Sequence, residues 1–590
     1  MSPRPLLRTL GSLVAALACA VASRAATVRV EVGHVFGDRT LHLGELNYTN
    51  AAGDVLSVTR LDYLLSDFAL VTAGGGTVAL TNQVAYLSAG GGRTQFELRD
   101  VPAGRFTGLR FRVGVSPAVN RVDPATIAPG HPLNPAVNGL HWSWQGGYVF
   151  LALEGGWHQA GGSVGGYSYH LATDALELPV ELPLALQVTS ANGPTEQRLT
   201  LDIAKIFSGV HSIALTNATA STHSRTNDPL AGQLRDNAIR AFRAESPVVP
   251  AAAPAPVLAA APRHVEMATN ATPYRFRLSR FFPQPSLPAD NPLTEQGVAL
   301  GRRLFHDPAL SVNGTQSCAS CHQADAAFTD AGKRFSTGAE GAIGTRNAMP
   351  LANLAWAGRF FWDGRAGSLR EQVLQPVTNP AEMHESLTNV VRKLERAGYA
   401  PDFAAAFGTA EITADRMARA LEQFVLTLTA YDSKFDRVLG VRATFTAEEQ
   451  RGYELFHTEY DPRHGQYGAD CFHCHGGPLF SDFAFHNNGL DADGSAQDPG
   501  RFLVTTNRAD LAKFKTPSLR NVALTAPYMH DGRLATLEEA VAHYCSGVRR
   551  SPTLDPNLGK HPDGGVPLSA EDQHALVAFL RTLTDSAATP

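Results

Sequence analysis

Two pentapeptides carry the clearest chemistry in this sequence. Both have the pattern Cys-x-x-Cys-His, one over residues 318–322 and the other over residues 471–475. In each, two thiols can form thioether bonds to the vinyl groups of a haem, and the histidine can bind the haem iron. A redox dithiol would not need that histidine, so the motifs predict two covalently bound c-type haems. The haem-binding residues are therefore predicted to be Cys318, Cys321, His322, Cys471, Cys474 and His475.

The N-terminus predicts export from the cytoplasm. Basic residues precede the apolar stretch 10–21 and small residues follow it, which is typical of a secretory signal peptide over residues 1–25. This stretch is too short to span a membrane, and we expect no transmembrane segment elsewhere. Cys19 leaves a lipid anchor open, although the residues before it form a poor lipobox. We expect a periplasmic protein, because bacteria attach haem c outside the cytoplasm.

The composition limits the classes of function. The chain has 590 residues, a formal net charge of −5 and 18% charged residues, so we expect no nucleic-acid partner. A hydrophobic content of 44% is typical of packed globular domains. Apart from Cys19 and the haem thiols only Cys545 remains, so structural disulfides are not expected to hold the fold.

The first half of the chain is predicted to be β-structure. Apolar Leu109, Phe111 and Val113 alternate with polar or small residues, as in a strand with one buried face. Glycine-rich turns separate similar runs, so we predict a sandwich-like domain over residues 27–245. Residues 246–274 form a linker rich in proline and alanine.

The second half is predicted to be helical and contains a repeat. Gly-Arg-Arg-Leu-Phe-His at 301–306 precedes the first haem motif, and Gly-Tyr-Glu-Leu-Phe-His at 452–457 precedes the second. We therefore predict two cytochrome c-type lobes, over residues 275–440 and 441–590. The predicted fold class is multidomain, with an N-terminal all-β sandwich-like domain followed by a mainly α region of two such lobes.

Residues 280–586 resemble the dihaem cytochrome c peroxidase/MauG superfamily. The resemblance is carried by Phe-Trp-Asp-Gly-Arg-Ala at 361–366, Thr-Pro-Ser-Leu-Arg-Asn at 516–521 and Leu-Thr-Ala-Pro-Tyr-Met-His-Asp-Gly at 524–532. It implies hydrogen peroxide as the oxidant and allows a small electron donor as a partner.

The resemblance also implies roles for single residues. Trp362 would relay electrons between the haems, although it could instead be an ordinary core residue. The distal side of the first haem would hold Gln372, Pro376 and Glu382, and a carboxyl group there could move the protons of peroxide. A calcium ion between the haems would be bound by oxygen atoms of Asn347, Thr525 and Pro527.

Tyr544 is the position that separates two branches of this superfamily. It follows His530 by fourteen residues, where ordinary peroxidases have a methionine ligand of the second haem and MauG-like proteins have a tyrosine. A phenolate favours high-valent iron more than a thioether does. The resemblance therefore implies His475 and Tyr544 as axial ligands, unless Tyr544 only caps a helix. His543 is a minor competitor.

The β half resembles the copper protein family MbnP. The motifs are His-Trp-Ser-Trp-Gln-Gly-Gly-Tyr at 141–148 and Tyr-His-Leu at 169–171. In that family a MauG-like partner converts a tryptophan to kynurenine, and the product helps to bind copper. The resemblance implies Trp142 or Trp144 as the modified residue, with Trp157 as a weaker candidate. His34 and His170 are the preferred copper ligands, followed by His42 and His141.

Three functions are consistent with these motifs. The first is a periplasmic dihaem enzyme that uses peroxide to oxidise a tryptophan to kynurenine in its own copper-binding domain or in a related copper protein. The second is a peroxidase that detoxifies hydrogen peroxide and carries an unrelated β domain. The third is a non-enzymatic copper-binding or electron-transfer protein. Tyr544 favours the first over the second, and the distal residues favour an enzyme over the third.

Overall fold

The computed structural model describes residues 26–142, 146–159, 161–189, 195–225, 227–245, 265–491 and 497–585. The predicted signal peptide, Cys19, Trp144 and most of the predicted linker lie outside these residues. Within the described ranges, none of the helices combines the length and the apolar character that crossing a bilayer requires.

The N-terminal domain is built from two sheets. Its long strands are β1 (Ala26–Phe36), β2 (Arg60–Thr72), β3 (Gln95–Val101), β4 (Gly104–Val113), β5 (Gly147–His158), β6 (Val164–Ala172), β7 (Leu178–Val188) and β8 (Thr195–Asp202). Short strands are Arg39–Thr40, Tyr48–Thr49, Val55–Leu56, Thr77–Ala79, Ala85–Ser88, His141–Trp142, Ser221–Thr222 and Phe242–Ala244.

The sheets enclose one hydrophobic core. In the larger sheet the order is β7-β4-β2-β5-β6 and then Ser221–Thr222, whereas in the smaller sheet β1 lies between β8 and β3. Leu109, Phe111 and Val113 of β4 are buried and Arg110 is exposed, as the alternation predicts. The prediction of an N-terminal sandwich-like β domain is confirmed.

The rest of the chain is mainly helical. One helix, α1 (Pro229–Ala238), lies near the end of the β domain. The longer helices of the second half are α2 (Glu295–Phe305), α3 (Leu387–Arg396), α4 (Ala400–Phe407), α5 (Ala414–Leu426), α6 (Ala447–His457) and α7 (Ala570–Arg581). Shorter helices that matter below are Leu369–Gln372, Gln375–Thr378, Lys434–Leu439, Leu537–Ala542 and Pro556–Gly559.

The sequence repeat corresponds to a repeated helix crossing. Gly301 of α2 lies against α5, where an added Cβ would be 1.9 Å from the carbonyl oxygen of Ala420. Gly452 of α6 lies against α7 in the same way, with an added Cβ 1.9 Å from the carbonyl oxygen of Ala575. The missing side chain lets each pair of helices approach closely. The prediction of two related helical lobes is therefore confirmed.

The β domain docks closely on the second haem lobe. At Gly166 of β6, an added Cβ would lie 2.0 Å from the carbonyl oxygen of Pro556. Nearby, the Arg463 side chain donates hydrogen bonds to the carbonyl oxygens of Ala218, at 2.6 Å, and Ser221. Trp142 packs against both the core of the β domain and the core of the second lobe. These contacts place the β domain beside the second haem motif.

Candidate functional site

Both haem motifs present their histidines in the way that haem binding requires. Nδ1 of His322 is 2.7 Å from the carbonyl oxygen of Phe328, and Nδ1 of His475 is 3.1 Å from that of Phe480. A hydrogen bond from Nδ1 to a carbonyl fixes the tautomer and leaves Nε2 free to bind a metal. The four motif cysteines are free thiols. These residues thus fit two covalently bound haems.

The predicted distal residues lie together in one short segment beside the first motif. Gln372 ends the helix Leu369–Gln372, and Pro376 lies in the next helix. The backbone N–H of Met383 donates to the carbonyl oxygen of Pro376 at 3.1 Å, which brings the neighbouring Glu382 back towards this helix. The Glu382 carboxyl group accepts a 2.6 Å hydrogen bond from Asn379.

Glu382 is electrostatically suited to proton transfer. Burial raises the pKa of the Glu382 carboxyl group, and the hydrogen bond from Asn379 and the charge of Arg365 only partly offset this. Its charge also acts on the thiols of Cys318 and Cys321, so the carboxyl group lies near the first haem motif. A carboxyl group with a raised pKa can accept and return a proton closer to neutral pH.

Trp362 lies at the junction of the two lobes. Its Nε1 donates a 2.8 Å hydrogen bond to the carbonyl oxygen of Asn347. The backbone N–H of Asn347 in turn donates to the carbonyl oxygen of His530 at 2.8 Å, in the segment that contains Thr525 and Pro527. The structure therefore brings Asn347 near that segment. Binding of calcium there remains a prediction.

Tyr544 lies in a π-helical turn, His543–Gly547, that follows the helix Leu537–Ala542. Such turns are rare and are found mostly at functional sites. Burial raises the pKa of Tyr544 to about 12, and the nearby thiols of Cys474 and Cys471 add to the effect. Both thiols belong to the second motif, so Tyr544 lies in the neighbourhood of that motif. Its binding to the second haem remains a prediction. His543 instead contacts the carbonyl oxygen of Asn488 through Nε2, at 3.0 Å.

Asn488 links Tyr544 to a second side chain. Its Nδ2 is 3.4 Å from the hydroxyl of Tyr544 and 3.3 Å from Sδ of Met529. Met529 is part of the motif at 524–532, but sequence reasoning did not consider it as a ligand. A thioether and a phenol are thus both close to Asn488.

Trp142 lies directly against the second haem motif. It belongs to a short hairpin in which His141 pairs with Tyr148 and Trp142 pairs with Gly147. The Trp142 ring is 6.5 Å from the ring of Phe472, the residue that follows the first haem cysteine of this motif. Of the two tryptophans favoured by the sequence, Trp142 is therefore placed at a haem motif, whereas Trp144 lies outside the described residues. Trp157 is buried within β5.

Three histidines surround Trp142 and Phe472. The short strand Ser221–Thr222 runs parallel to β6, with Tyr169 opposite Thr222, so His170 and His223 become neighbours. Their ring centroids are 4.7 Å apart, and each ring is 5.7 Å from that of Trp142. His473 of the second haem motif is 4.9 Å from His223.

Buried carboxylates balance the charge around these rings. Glu154 accepts from His170 Nε2 at 2.7 Å and from Arg60 at 3.0 Å. Although burial opposes ionisation, Arg60 and His170 keep the pKa of Glu154 below its usual value. Burial lowers the pKa of both His170 and His223, which favours neutral imidazoles.

The pKa of His473 is shifted in the opposite direction, upwards. Burial and Lys560 oppose its protonation, but Glu459 and Asp470 outweigh them and raise the pKa of His473. Its Nε2 is 3.0 Å from Glu459 Oε2.

The other predicted copper ligands lie apart from this group. Nε2 of His34 is 2.9 Å from the hydroxyl of Tyr63, and His42 is exposed. The ring of His141 lies against Tyr148 at 4.8 Å. Among the described residues, none of these three is part of a cluster of potential metal ligands. Sequence reasoning missed His223 and His473; a histidine inside a haem motif was the available signal for His473.

A cleft of about 630 Å³ between the β domain and the second lobe reaches Trp142. Its lining includes Trp142, His170, Glu154, Phe472 and His473. A small molecule or ion in solution therefore has a route to the aromatic group at the domain interface.

Two family descriptions match the chain. Di-haem cytochrome c peroxidase matches residues 295–444, and MbnP matches residues 25–224.

Two known proteins and one solved structure are also similar to the second half of this chain. The methylamine utilization protein MauG of Methylorubrum extorquens is 39% identical over 318 residues, which cover 52% of this chain and 83% of that protein. Cytochrome c551 peroxidase of Nitrosomonas europaea is 38% identical over 295 residues, covering 48% and 79%. A solved MauG-like protein associated with microbial copper homeostasis shares 38% identity, with a TM-score of 0.48, and the match covers 54% of this chain and 97% of that one. This chain belongs to the dihaem cytochrome c peroxidase/MauG family and carries an MbnP domain at its N-terminus.

Proposed function

We propose that this protein is a periplasmic, MauG-like enzyme that uses hydrogen peroxide to oxidise Trp142 of its own MbnP domain to kynurenine. The observation that carries the proposal is the position of Trp142. Its ring packs against the cores of both the β domain and the second haem lobe, 6.5 Å from Phe472 of the haem motif. The substrate residue and the oxidising domain are thus already in contact within one chain.

The position of Trp142 shortens the path for electron removal. Phe472 lies between Cys471 and Cys474, the residues that would hold the second haem. Electron transfer through protein slows steeply with distance, so one aromatic contact next to the haem attachment is favourable. Trp362, at the lobe junction, would connect the first haem with the second.

The proposed reaction balances with peroxide as the sole oxidant. Two molecules of hydrogen peroxide are reduced to two of water, while two oxygen atoms enter the indole and its C2–C3 bond breaks, giving N-formylkynurenine. Water then releases the formyl group as formate and leaves kynurenine with a free arylamine. Haem c supplies the redox chemistry when bound.

The chain's own residues would manage the protons at the first haem. Breaking the O–O bond of peroxide needs a proton to move from one oxygen to the other. Glu382, whose pKa is raised by burial, is suited to take and return that proton, and Asn379 orients it. Gln372 and Pro376 complete the same side of the site, where Pro376 offers no metal-binding side chain.

Tyr544, together with His475, would hold the iron of the second haem. Burial raises the pKa of the free phenol to about 12, so the iron would have to displace its proton. A phenolate ligand stabilises oxidised iron more than a thioether does. The proposal also includes calcium at the lobe junction and copper binding by the MbnP domain.

A detoxifying peroxidase is the second candidate, and Met529 is the observation that favours it. Met529 shares Asn488 with Tyr544, so a rotation could offer the iron a thioether in place of the phenol. The second haem would then be an electron-entry site, as in a peroxidase supplied by a small electron donor.

Peptide mass spectrometry across residues 141–158 tests the proposal. Protein carrying both haems would be analysed before and after addition of peroxide, and Trp157 in the same region serves as an internal control because it is buried in β5. We expect kynurenine at Trp142, intact Trp157 and no change in a Tyr544→Met variant. Consumption of peroxide with Trp142 unmodified would favour the detoxifying peroxidase.

A further inference from the structure

Tyr467 is the tyrosine that solvent reaches most easily. All fourteen tyrosines of the chain lie within the described residues, and of these only Tyr467 is exposed, by 59%. The described tryptophans are buried or half-buried: Trp142, Trp157, Trp356 and Trp362. Phenol and indole groups are the aromatic side chains that give up an electron most readily. In the described part of the chain, Tyr467 is therefore the one such group that is openly accessible to a molecule in solution.

Tyr467 is paired with a second tyrosine in a small hairpin. The strands Tyr460–Asp461 and Gln466–Tyr467 are antiparallel, with Tyr460 opposite Tyr467. The centroids of the two rings are 6.1 Å apart, and the ring planes are inclined at 72°. Side chains of directly opposite residues interact across a strand pair, so the hairpin holds the rings together.

Tyr460 connects this hairpin to the second haem motif. Its backbone N–H donates a 2.9 Å hydrogen bond to the carboxyl group of Asp470, the residue immediately before Cys471. The Tyr460 ring is also 5.0 Å from the ring of His561, which is buried, and Nε2 of His561 is 3.1 Å from the same carboxyl group. A short series of contacts thus joins the exposed Tyr467 to the point where the second haem would be attached.

We propose that Tyr460 and Tyr467 form an outlet through which the enzyme oxidises small phenols in solution. Tyr467 passes an electron through Tyr460 towards the second haem motif and releases its phenolic proton to water. A phenol that meets the resulting Tyr467 radical gives it a hydrogen atom, which restores the tyrosine and leaves a phenoxyl radical. Two phenols in this way supply the two electrons and two protons that reduce one hydrogen peroxide to two molecules of water.

Phenols are the substrate class because of the chemistry of this exchange. The O–H bond that breaks in the phenol is of the same kind as the one that forms in Tyr467, so the transfer of a hydrogen atom costs little free energy. The exposure of Tyr467 allows this transfer by direct collision. The inference goes beyond the proposed function, since it needs only a peroxidase-type reaction and does not depend on oxidation of Trp142.

The outlet and Trp142 lead away from the same haem motif at different residues. Trp142 contacts Phe472 within the motif, whereas Tyr460 contacts Asp470 just before it. A tryptophan that has become kynurenine cannot react in the same way again, so later molecules of peroxide need another source of electrons. Tyrosines that are restored by a phenol in solution would provide that source repeatedly.

Oxidation of tyramine by the haem-loaded full chain and hydrogen peroxide tests this inference. The rate would be measured in the wild type and in Tyr467→Phe, Tyr460→Phe and Tyr274→Phe variants. The hydroxyls of Tyr460 and Tyr467 form no hydrogen bond with any described residue, so phenylalanine removes the oxidisable group and keeps the ring packing. Tyr274→Phe is the matched control, because Tyr274 is a half-buried tyrosine that packs on the core of the first lobe.

A second readout does not depend on turnover. Electron paramagnetic resonance of samples frozen rapidly after addition of peroxide alone records any tyrosyl radical, and the haem spectrum of each variant checks that both lobes have matured. We expect a tyrosyl signal in the wild type and the control that is lost in the Tyr467→Phe variant. The rate of tyramine oxidation should fall at least about tenfold in the Tyr467→Phe and Tyr460→Phe variants but not in the control.

Two results would overturn the inference. Tyramine oxidation at the wild-type rate in the Tyr467→Phe variant would show that phenols are oxidised elsewhere on the enzyme. A wild-type tyrosyl signal in the Tyr460→Phe variant would exclude Tyr460 as the link to the haem motif. Kynurenine at Trp142, measured in the same samples, separates this inference from the proposed function, because we expect it to form in every variant whether or not the outlet exists.

Discussion

Gly166 offers a way to separate the two domains without touching the haems or Trp142. An alanine methyl at this position would lie 2.0 Å from the carbonyl oxygen of Pro556. All three nearest atoms belong to Pro556, so the obstruction comes from the haem lobe and not from the β domain itself. Ordinary contacts begin near 3.4 Å, so the Gly166→Ala variant must open the interface locally by roughly 1.4 Å.

Such an opening should slow the oxidation of Trp142. The proposed oxidation removes electrons from Trp142 across this interface, and electron transfer slows with distance, so we expect the rate to fall several-fold below that of the wild type. Peroxide consumption with an artificial electron donor should stay at the wild-type rate, because the first haem site is unchanged.

The assay is the rate of kynurenine formation at Trp142, followed by peptide mass spectrometry after addition of peroxide. Gly33→Ala is the matched control, because its added methyl would be 3.8 Å from the nearest atom, an ordinary contact within the β domain. If Gly166→Ala oxidised Trp142 as fast as Gly33→Ala, the docked arrangement would not be the reactive one.

Three further predictions follow from individual residues. Tyr544→Met should abolish oxidation of Trp142 while both haems stay attached, as measured by peptide mass spectrometry and haem content; retained oxidation would exclude Tyr544 as the essential ligand. Glu382→Gln should slow peroxide consumption by about 100-fold or more. In the wild type that rate should rise with pH as Glu382 loses its proton, at a pH above the ordinary carboxyl value of 4.5 because its pKa is raised, and the rise should be absent in the variant. Asp436→Ala should lower the free energy of unfolding by about 3–5 kcal/mol in chemical denaturation, because it leaves the buried Arg520 without its 2.7 Å partner; a loss below about 1 kcal/mol would contradict this.

The sequence was most informative where chemistry depends on local spacing. The two haem motifs, the repeated glycine before each of them and the alternation in β4 were all visible without a structure. Gly301 and Gly452 lie at equivalent helix crossings because the same close approach is needed in each lobe. Thr446 and Glu449 form a capping box at the start of α6, a local pattern of the same kind, because both of its hydrogen bonds join residues three apart.

The interface was not predictable, because it joins residues that are far apart in the chain. His223 reaches His170 only through a strand of two residues, and His473 reaches them only through docking of the domains. His34 was one of the two preferred copper ligands, but its ring contacts the hydroxyl of Tyr63. The glycines Gly165 and Gly166 within β6 were the available signal of a close approach, since glycine inside a strand often marks one.

The most direct test of the central claim is the dependence of Trp142 oxidation on protein concentration. Haem-loaded wild type would be diluted over about a hundredfold range and treated with peroxide at one constant concentration, which exceeds that of the protein in every sample. The half-time of kynurenine formation at Trp142 would be measured at each dilution. Reaction within one chain predicts a half-time that does not change with dilution. A half-time that lengthens in proportion to dilution, or a Trp142 that stays unmodified while peroxide is consumed, would contradict the account.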